Sequence, residues 1–118
     1  MTLSRTCIFG SIALASILLV GITPATGQDA AQIKRGEEVY SAQKCQVCHS
    51  IAGKGNKMNP LDGVGKKLTA ADIREWIVHP AEMTAKSKST KKPPMPAKYS
   101  TLAAADLDAL VAYLLSLK

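Results

Sequence analysis

The sequence predicts an all-α domain of three main helices joined by long loops. Three observations carry this. Apolar residues recur at helical spacing in three separate stretches. No run of β-branched and aromatic residues alternates at strand period. Glycine, proline and asparagine punctuate everything between the helices. No internal repeat and no second domain can be read.

The first helix is expected over about Ala30–Ala42, where Ile33, Gly36 and Tyr40 fall on one side at spacings of three and four. Glycine in mid-helix costs about 1 kcal/mol against alanine. Gly36 therefore calls for a packing reason, such as a second helix crossing closely there. The second helix begins near Thr69, whose hydroxyl can cap it, with Asp72 three residues on in a capping-box arrangement. Ile73, Trp76 and Ile77 form its apolar stripe. Pro80 ends it, because the residue before a proline is pushed out of the α region. The third helix runs from about Leu102 to the C-terminus, with Leu107, Leu110, Val111 and Leu114 at i, i+3, i+4 and i+7. The remainder reads as loop, including Gly53-Lys54-Gly55-Asn56, Asn59-Pro60 and the polar run Lys86–Lys92 before Pro93-Pro94-Met95-Pro96. Loops this long are uncommon in a small domain, unless they pack on something other than one another.

Cys45-Gln46-Val47-Cys48-His49 supplies that something. Cys-x-x-Cys-His is the covalent attachment signature of c-type haem. Each thiol can add across one vinyl group of the porphyrin, and the following histidine is placed to ligate the iron. Two rival readings of the same residues are weaker. Structural zinc needs four ligands, and the other candidates are Cys7 and a lone His79. A thioredoxin-like dithiol belongs in a βαβ setting, which the pattern lacks.

The first residues read as an export signal. Arg5 gives a positive start, Ile8–Val20 is apolar, and Pro24-Ala25-Thr26-Gly27 offers the small residues of a cleavage site. Cleavage before Gln28 is expected, with cleavage after Ala25 as the alternative. A retained anchor is the rival reading, but a spanning helix wants about 20 apolar residues, and this run is broken at Gly21 and Pro24. The expected organisation is thus a removed signal, residues 1–27, and one domain, residues 28–118, in the periplasm with no stable membrane insertion. Removal takes Cys7 away and leaves only the two motif cysteines. A domain of about 90 residues builds a thin core. The haem is expected to complete it, so the haem-free chain should fold poorly.

The chain carries 15 Lys and Arg against 9 Asp and Glu, a formal charge of +6 that becomes +5 when Arg5 leaves. A basic surface can meet nucleic acid, anionic membrane or an acidic protein. Export and the scarcity of aromatic residues disfavour nucleic acid. An acidic redox partner suits the composition, with the chain itself a monomer.

Haem held by His49 leaves one side of the iron open. The candidates for it are Met58, His79, Met83 and Met95. Met58 follows His49 too closely to reach the opposite face. His79 ends a helix, and Met83 has nothing local to hold it. Met95 sits between Pro94 and Pro96 with Pro93 behind, a strap with fixed φ angles that loses little entropy on pinning a sulfur. Met95 is the expected ligand, followed by Met83 and then His79. His/Met ligation raises the reduction potential and suits electron passage.

These residues resemble a small bacterial class I cytochrome c over essentially all of the expected mature segment. Gly36-Glu37-Glu38-Val39-Tyr40 is similar to the family's first helix, and Asn59-Pro60-Leu61-Asp62-Gly63-Val64-Gly65 to its Pro-x-Leu-x-Gly-Val segment. Pro94-Met95-Pro96 matches the ligand strap, and Leu110-Val111-Ala112-Tyr113-Leu114 resembles the last helix. The resemblance implies the cytochrome c-like fold around one covalent haem. It implies that the Pro60 carbonyl accepts a hydrogen bond from the proximal imidazole. It also implies that Tyr113 packs across the first helix near Gly36. The chain departs from the family at Leu102-Ala103-Ala104-Ala105, where a polar cap is usual. Ser100 and Thr101 are the substitute caps, and Tyr99 stands for the aromatic after the strap.

The expected function is a monohaem carrier of single electrons, with no residues arranged for enzymatic turnover. The alternatives are a haem c subunit of a larger oxidoreductase and a haem-based ligand sensor. Lys86, Lys88, Lys91, Lys92 and Lys98 surround Met95 in sequence, and Lys44, Lys54 and Lys57 flank the attachment motif. The two groups are expected to meet around the haem edge and steer an acidic partner. The rival reading is that they are ordinary solvated lysines.

Overall fold

The computed structural model describes residues 25–118. Up to residue 24 the expected export signal lies outside them. Helix α1, Ala25–Ala42, and helix α5, Ala104–Ser116, form the frame. They cross at Gly36. A Cβ there would lie 2.0 Å from the Ala109 carbonyl oxygen and 2.5 Å from the Tyr113 Cβ, so the crossing needs the missing side chain. Beside it the Tyr40 and Tyr113 rings meet edge to face, with centroids 5.9 Å apart and planes at 64°, a geometry favoured by aromatic quadrupoles. Arg35 on α1 pairs with Asp106 on α5 at 2.8 Å, and with Glu38 at 3.3 Å. These are surface pairs of small worth; apolar burial holds the helices together.

All four members of the α5 stripe (Leu107, Leu110, Val111 and Leu114) are buried, in one cluster with Val39, Tyr40, Ile73 and Ile77. The stripe read from the sequence is the core. The caps are a correction. Helix α5 starts at Ala104 with Ala103 as its N-cap and no side-chain bond. Ser100 and Thr101 belong to a 3-10 turn, Ala97–Thr101, where their hydroxyls donate to the carbonyls of Ala97 and Lys98 at 2.9 and 3.0 Å. They are occupied one turn too early to reach the helix. Helix α1 also begins earlier than expected, at Ala25.

Helix α3, Ala70–Val78, is capped as its sequence requires. The Asp72 amide donates to the Thr69 hydroxyl at 3.1 Å, and the Thr69 amide donates to the Asp72 carboxylate at 3.1 Å. Ile73 and Ile77 are buried, and Trp76 stands half-buried beside them. Pro80 does end this helix, but it also starts another. Helix α4, Pro80–Lys86, takes the proline at its first turn, where no amide is needed. That helix lies in a stretch expected to be loop.

Two smaller pieces depart from the expectation likewise. The hairpin of β1, Ser50–Ile51, and β2, Lys54–Gly55, turns through Ala52 and Gly53 at φ 50° and 76°. That is the positive-φ pair of a type I′ turn. The Ala52 amide is held by the Asp62 carboxylate at 2.8 Å. Helix α2, Val64–Lys67, lies against the end of α5. The Gly65 amide donates to Leu117 O at 2.9 Å, and a Cβ on Gly65 would come within 2.0 Å of Leu115 O. Among the described residues no helix is long and apolar enough to cross a membrane.

Candidate functional site

Lys44, in the left-handed region at φ 55°, turns the chain out of α1 and into a single 3-10 turn, Cys45–Val47. The amides of Cys48 and His49 both return to the Cys45 carbonyl, at 3.1 and 3.0 Å. This coil places Cys45, Cys48 and His49 along one wall of a cavity of about 270 Å³. The hairpin closes over the turn from outside. The Asn56 amide donates to the carbonyls of Gln46 and His49, each at 3.0 Å. A Cβ on Gly55 would sit 2.2 Å from the His49 carbonyl.

Met95 with Pro93, Pro94 and Pro96 lines the same cavity, while Ile73, Trp76, Ile77, Leu110 and Leu114 supply an apolar floor. The attachment motif and the proline strap, separated by some 45 residues of sequence, therefore open on the same space. Met58 is 69% exposed and is not on the cavity wall. Met83 on α4 is not on the cavity wall, nor is His79, the exposed C-cap of α3. Tyr99 lines the cavity as well, with the Lys98 ammonium 5.1 Å from its ring centroid.

The proximal hydrogen bond corrects the residue assigned to it. His49 Nδ1 lies 3.1 Å from the carbonyl of Asn59, not that of Pro60. The segment runs parallel to Ser50, whose amide donates to Asn59 O at 3.3 Å and whose carbonyl accepts from Leu61 at 2.8 Å. Successive carbonyls of an extended chain point to opposite sides, so Asn59 O faces the imidazole while exposed Pro60 turns outward. Asn59 does more: its side-chain amide donates to Cys48 O at 3.2 Å. The Asn-Pro pair marked a turn in the sequence, but nothing in it distinguished one carbonyl from the next.

A carbonyl can only accept, so the proton is on Nδ1 and the lone pair of His49 is left on Nε2. Burial lowers the imidazole's pKa, partly offset by the Asn59 bond, which favours the neutral ring a metal needs. Burial also pushes the Cys45 thiol up to about 11. Redox-active cysteines have lowered values, so this thiol is unlike a dithiol exchange centre. Zinc fares no better: no three His, Cys, Asp or Glu side chains gather as a metal site among the described residues. One polar atom on the wall is left over. The Tyr40 hydroxyl is buried with no partner, and desolvation, followed by the proximity of Cys45, pushes it up to about 12. A large, flat apolar group bound through two free half-buried thiols suits this cavity.

A family profile described as Cytochrome c matches residues 33–118. The chain belongs to the cytochrome c family. Its fold is the all-α fold of a small class I cytochrome c, and its cofactor is covalently attached haem c, with Cys45 and Cys48 in the attachment motif. As a cytochrome c it serves haem-based electron transfer with redox partners. No curated protein and no solved structure matches the chain.

Proposed function

We propose that this cytochrome c is a periplasmic monohaem carrier that passes single electrons between proteins, its iron held by His49 and Met95. One observation carries the ligand assignment: His49 and Met95 line one cavity, whereas Met58, Met83 and His79 do not. Bound haem supplies a one-electron couple at its iron. The chain's residues supply everything else. Cys45 and Cys48 fix the ring covalently. The Asn59 carbonyl orients His49 and raises its basicity as a ligand. The proline strap restrains Met95, and the apolar floor excludes water. With His49 and Met95 both holding it, bound haem would offer no open site for oxygen or peroxide, which favours a carrier over a ligand sensor.

The export reading rests on Arg5, the apolar run Ile8–Val20 and the small residues before Gln28. N-terminal sequencing of the purified protein tests it, and an intact Met1 would contradict it. An acidic partner is supported by the formal charge of +5 left when Arg5 is removed and by the lysines, none of which lies within ion-pair distance of a carboxylate among the described residues. Gel filtration of the native extract tests the free monomer, since a subunit of a larger oxidoreductase elutes with its complex. Optical redox titration of the haem-loaded protein tests the carrier reading itself. Reversible one-electron behaviour without carbon monoxide binding is expected, and carbon monoxide binding to the parent would contradict it.

A further inference from the structure

Tyr40 lines the haem cavity, and its hydroxyl is a polar atom to which the chain offers no partner. Among the described residues it is the buried side-chain oxygen or nitrogen left without a hydrogen bond. Asn59, Thr84, Ser89 and Lys91, also on the wall, each have a partner in the chain. Asn59 serves His49 with its carbonyl and Cys48 with its side chain. The Thr84 hydroxyl donates to Pro80 O at 2.7 Å, and the Ser89 hydroxyl accepts from the Lys91 amide at 3.4 Å. The Lys91 ammonium donates to Met58 O at 3.4 Å. Buried hydroxyls nearly always find a partner. An orphan on the wall of a ligand cavity points to a partner that the ligand brings.

Tyr40 has no freedom to turn its hydroxyl to water. The residue is only 7% exposed. Its ring packs edge to face on Tyr113, one turn beyond the Gly36 crossing, so α1 and α5 hold it between them. Cys45 lies five residues on, along the same wall. Haem c attached there carries acceptors that the chain lacks: the thioether sulfur of the Cys45 linkage and the propionate carboxylates. We infer that the Tyr40 hydroxyl donates a hydrogen bond to one of these acceptors of the bound haem, and that Tyr40 is thereby a determinant of its reduction potential. Ferrous haem holds one more electron than ferric haem, so a proton aimed at the group favours the reduced form. This role needs the covalent haem and is independent of which residue takes the sixth position.

The test compares the haem-loaded parent with Tyr40→Phe, which removes one oxygen and keeps the ring on Tyr113. The redox equilibrium should shift about threefold towards the oxidised form, a fall of about 28 mV in midpoint potential at roughly 59 mV per tenfold. The absorption spectrum should stay as in the parent. Tyr113→Phe, whose side chain is off the cavity wall, should leave the potential unchanged. A second measurement needs the parent alone. Proton magnetic resonance of the ferrous protein should show a slowly exchanging Tyr40 hydroxyl proton close to protons of the Cys45 linkage or of the propionate methylenes. Closeness to the first names the sulfur as acceptor, and closeness to the second names a carboxylate. A potential in Tyr40→Phe equal to or above the parent's would overturn the inference, whatever happens to stability. So would a hydroxyl proton near neither group that exchanges freely, since its partner would then be trapped water. A shift accompanied by changed iron ligation would also overturn it, because the hydroxyl would then act through the axial ligands.

Discussion

Burial decides what each residue of the attachment turn can do. The Cys45 thiol, held up at about 11 by desolvation, remains protonated at neutral pH and is a poor partner for disulfide exchange. Replacing Cys45 or Cys48 with alanine should remove one thioether from the haem-loaded protein and alter the pyridine haemochrome spectrum. Replacing both should leave no haem stain after denaturing electrophoresis. A stain surviving the double change would refute covalent attachment through this motif. The motif residues were legible because their chemistry fixes their spacing. The carbonyl that orients His49 was not legible: choosing Asn59 over Pro60 depends on which way an extended segment faces, and that is set by its pairing with Ser50.

Helices with a continuous apolar stripe could be read from the sequence, while those defined by a local backbone event could not. The α5 stripe and the Thr69–Asp72 box follow from periodicity and capping chemistry. Helix α4 is only Pro80–Lys86 and starts on the residue that ends α3, so its presence was masked by a proline read as a terminator. The Gly36 crossing was legible as a demand for space, and it makes a strict prediction. Gly36→Ala would drive a Cβ to 2.0 Å from Ala109 O, so thermal unfolding should show destabilisation of about 1–3 kcal/mol or more. A stability like the parent's would mean that the helices do not cross there. At α3, Thr69→Ala should cost about 1 kcal/mol at neutral pH. The Asp72 carboxyl is held below its ordinary 3.8, chiefly by the Thr69 hydroxyl. A depressed carboxyl stabilises the fold above its unfolded value and stops doing so as pH falls through its native one. The gap between parent and Thr69→Ala should therefore narrow below about pH 4. A gap that widens in acid would contradict the capping box.

For the molecule as a whole, the cavity is the organising feature. Core residues from α1, α3 and α5 meet around a space of about 270 Å³ that the chain alone does not fill. The double cysteine variant, unable to retain haem, should lose cooperative thermal unfolding by circular dichroism. A sharp transition near the parent's would show a core independent of the haem. The long loops that looked anomalous in so short a sequence wrap this space, which is why no periodicity predicted their course. Their lysines bear on rates: Lys91→Glu with Lys92→Glu should slow electron transfer to an acidic acceptor at low salt and converge on the parent as salt rises past a Debye length of roughly 10 Å at 0.1 M. A rate indifferent to both changes would place docking elsewhere. The central claim is that one chain closes two sides of one iron with His49 and Met95. Its most direct measurement is the far-red absorption band of methionine-ligated ferric haem, recorded for the parent, Met95→Ala, Met83→Ala and Met58→Ala. The band should be present in the parent and in the last two variants and absent in Met95→Ala, which should also gain carbon monoxide binding. A band that survives Met95→Ala, or vanishes in Met83→Ala, would contradict it.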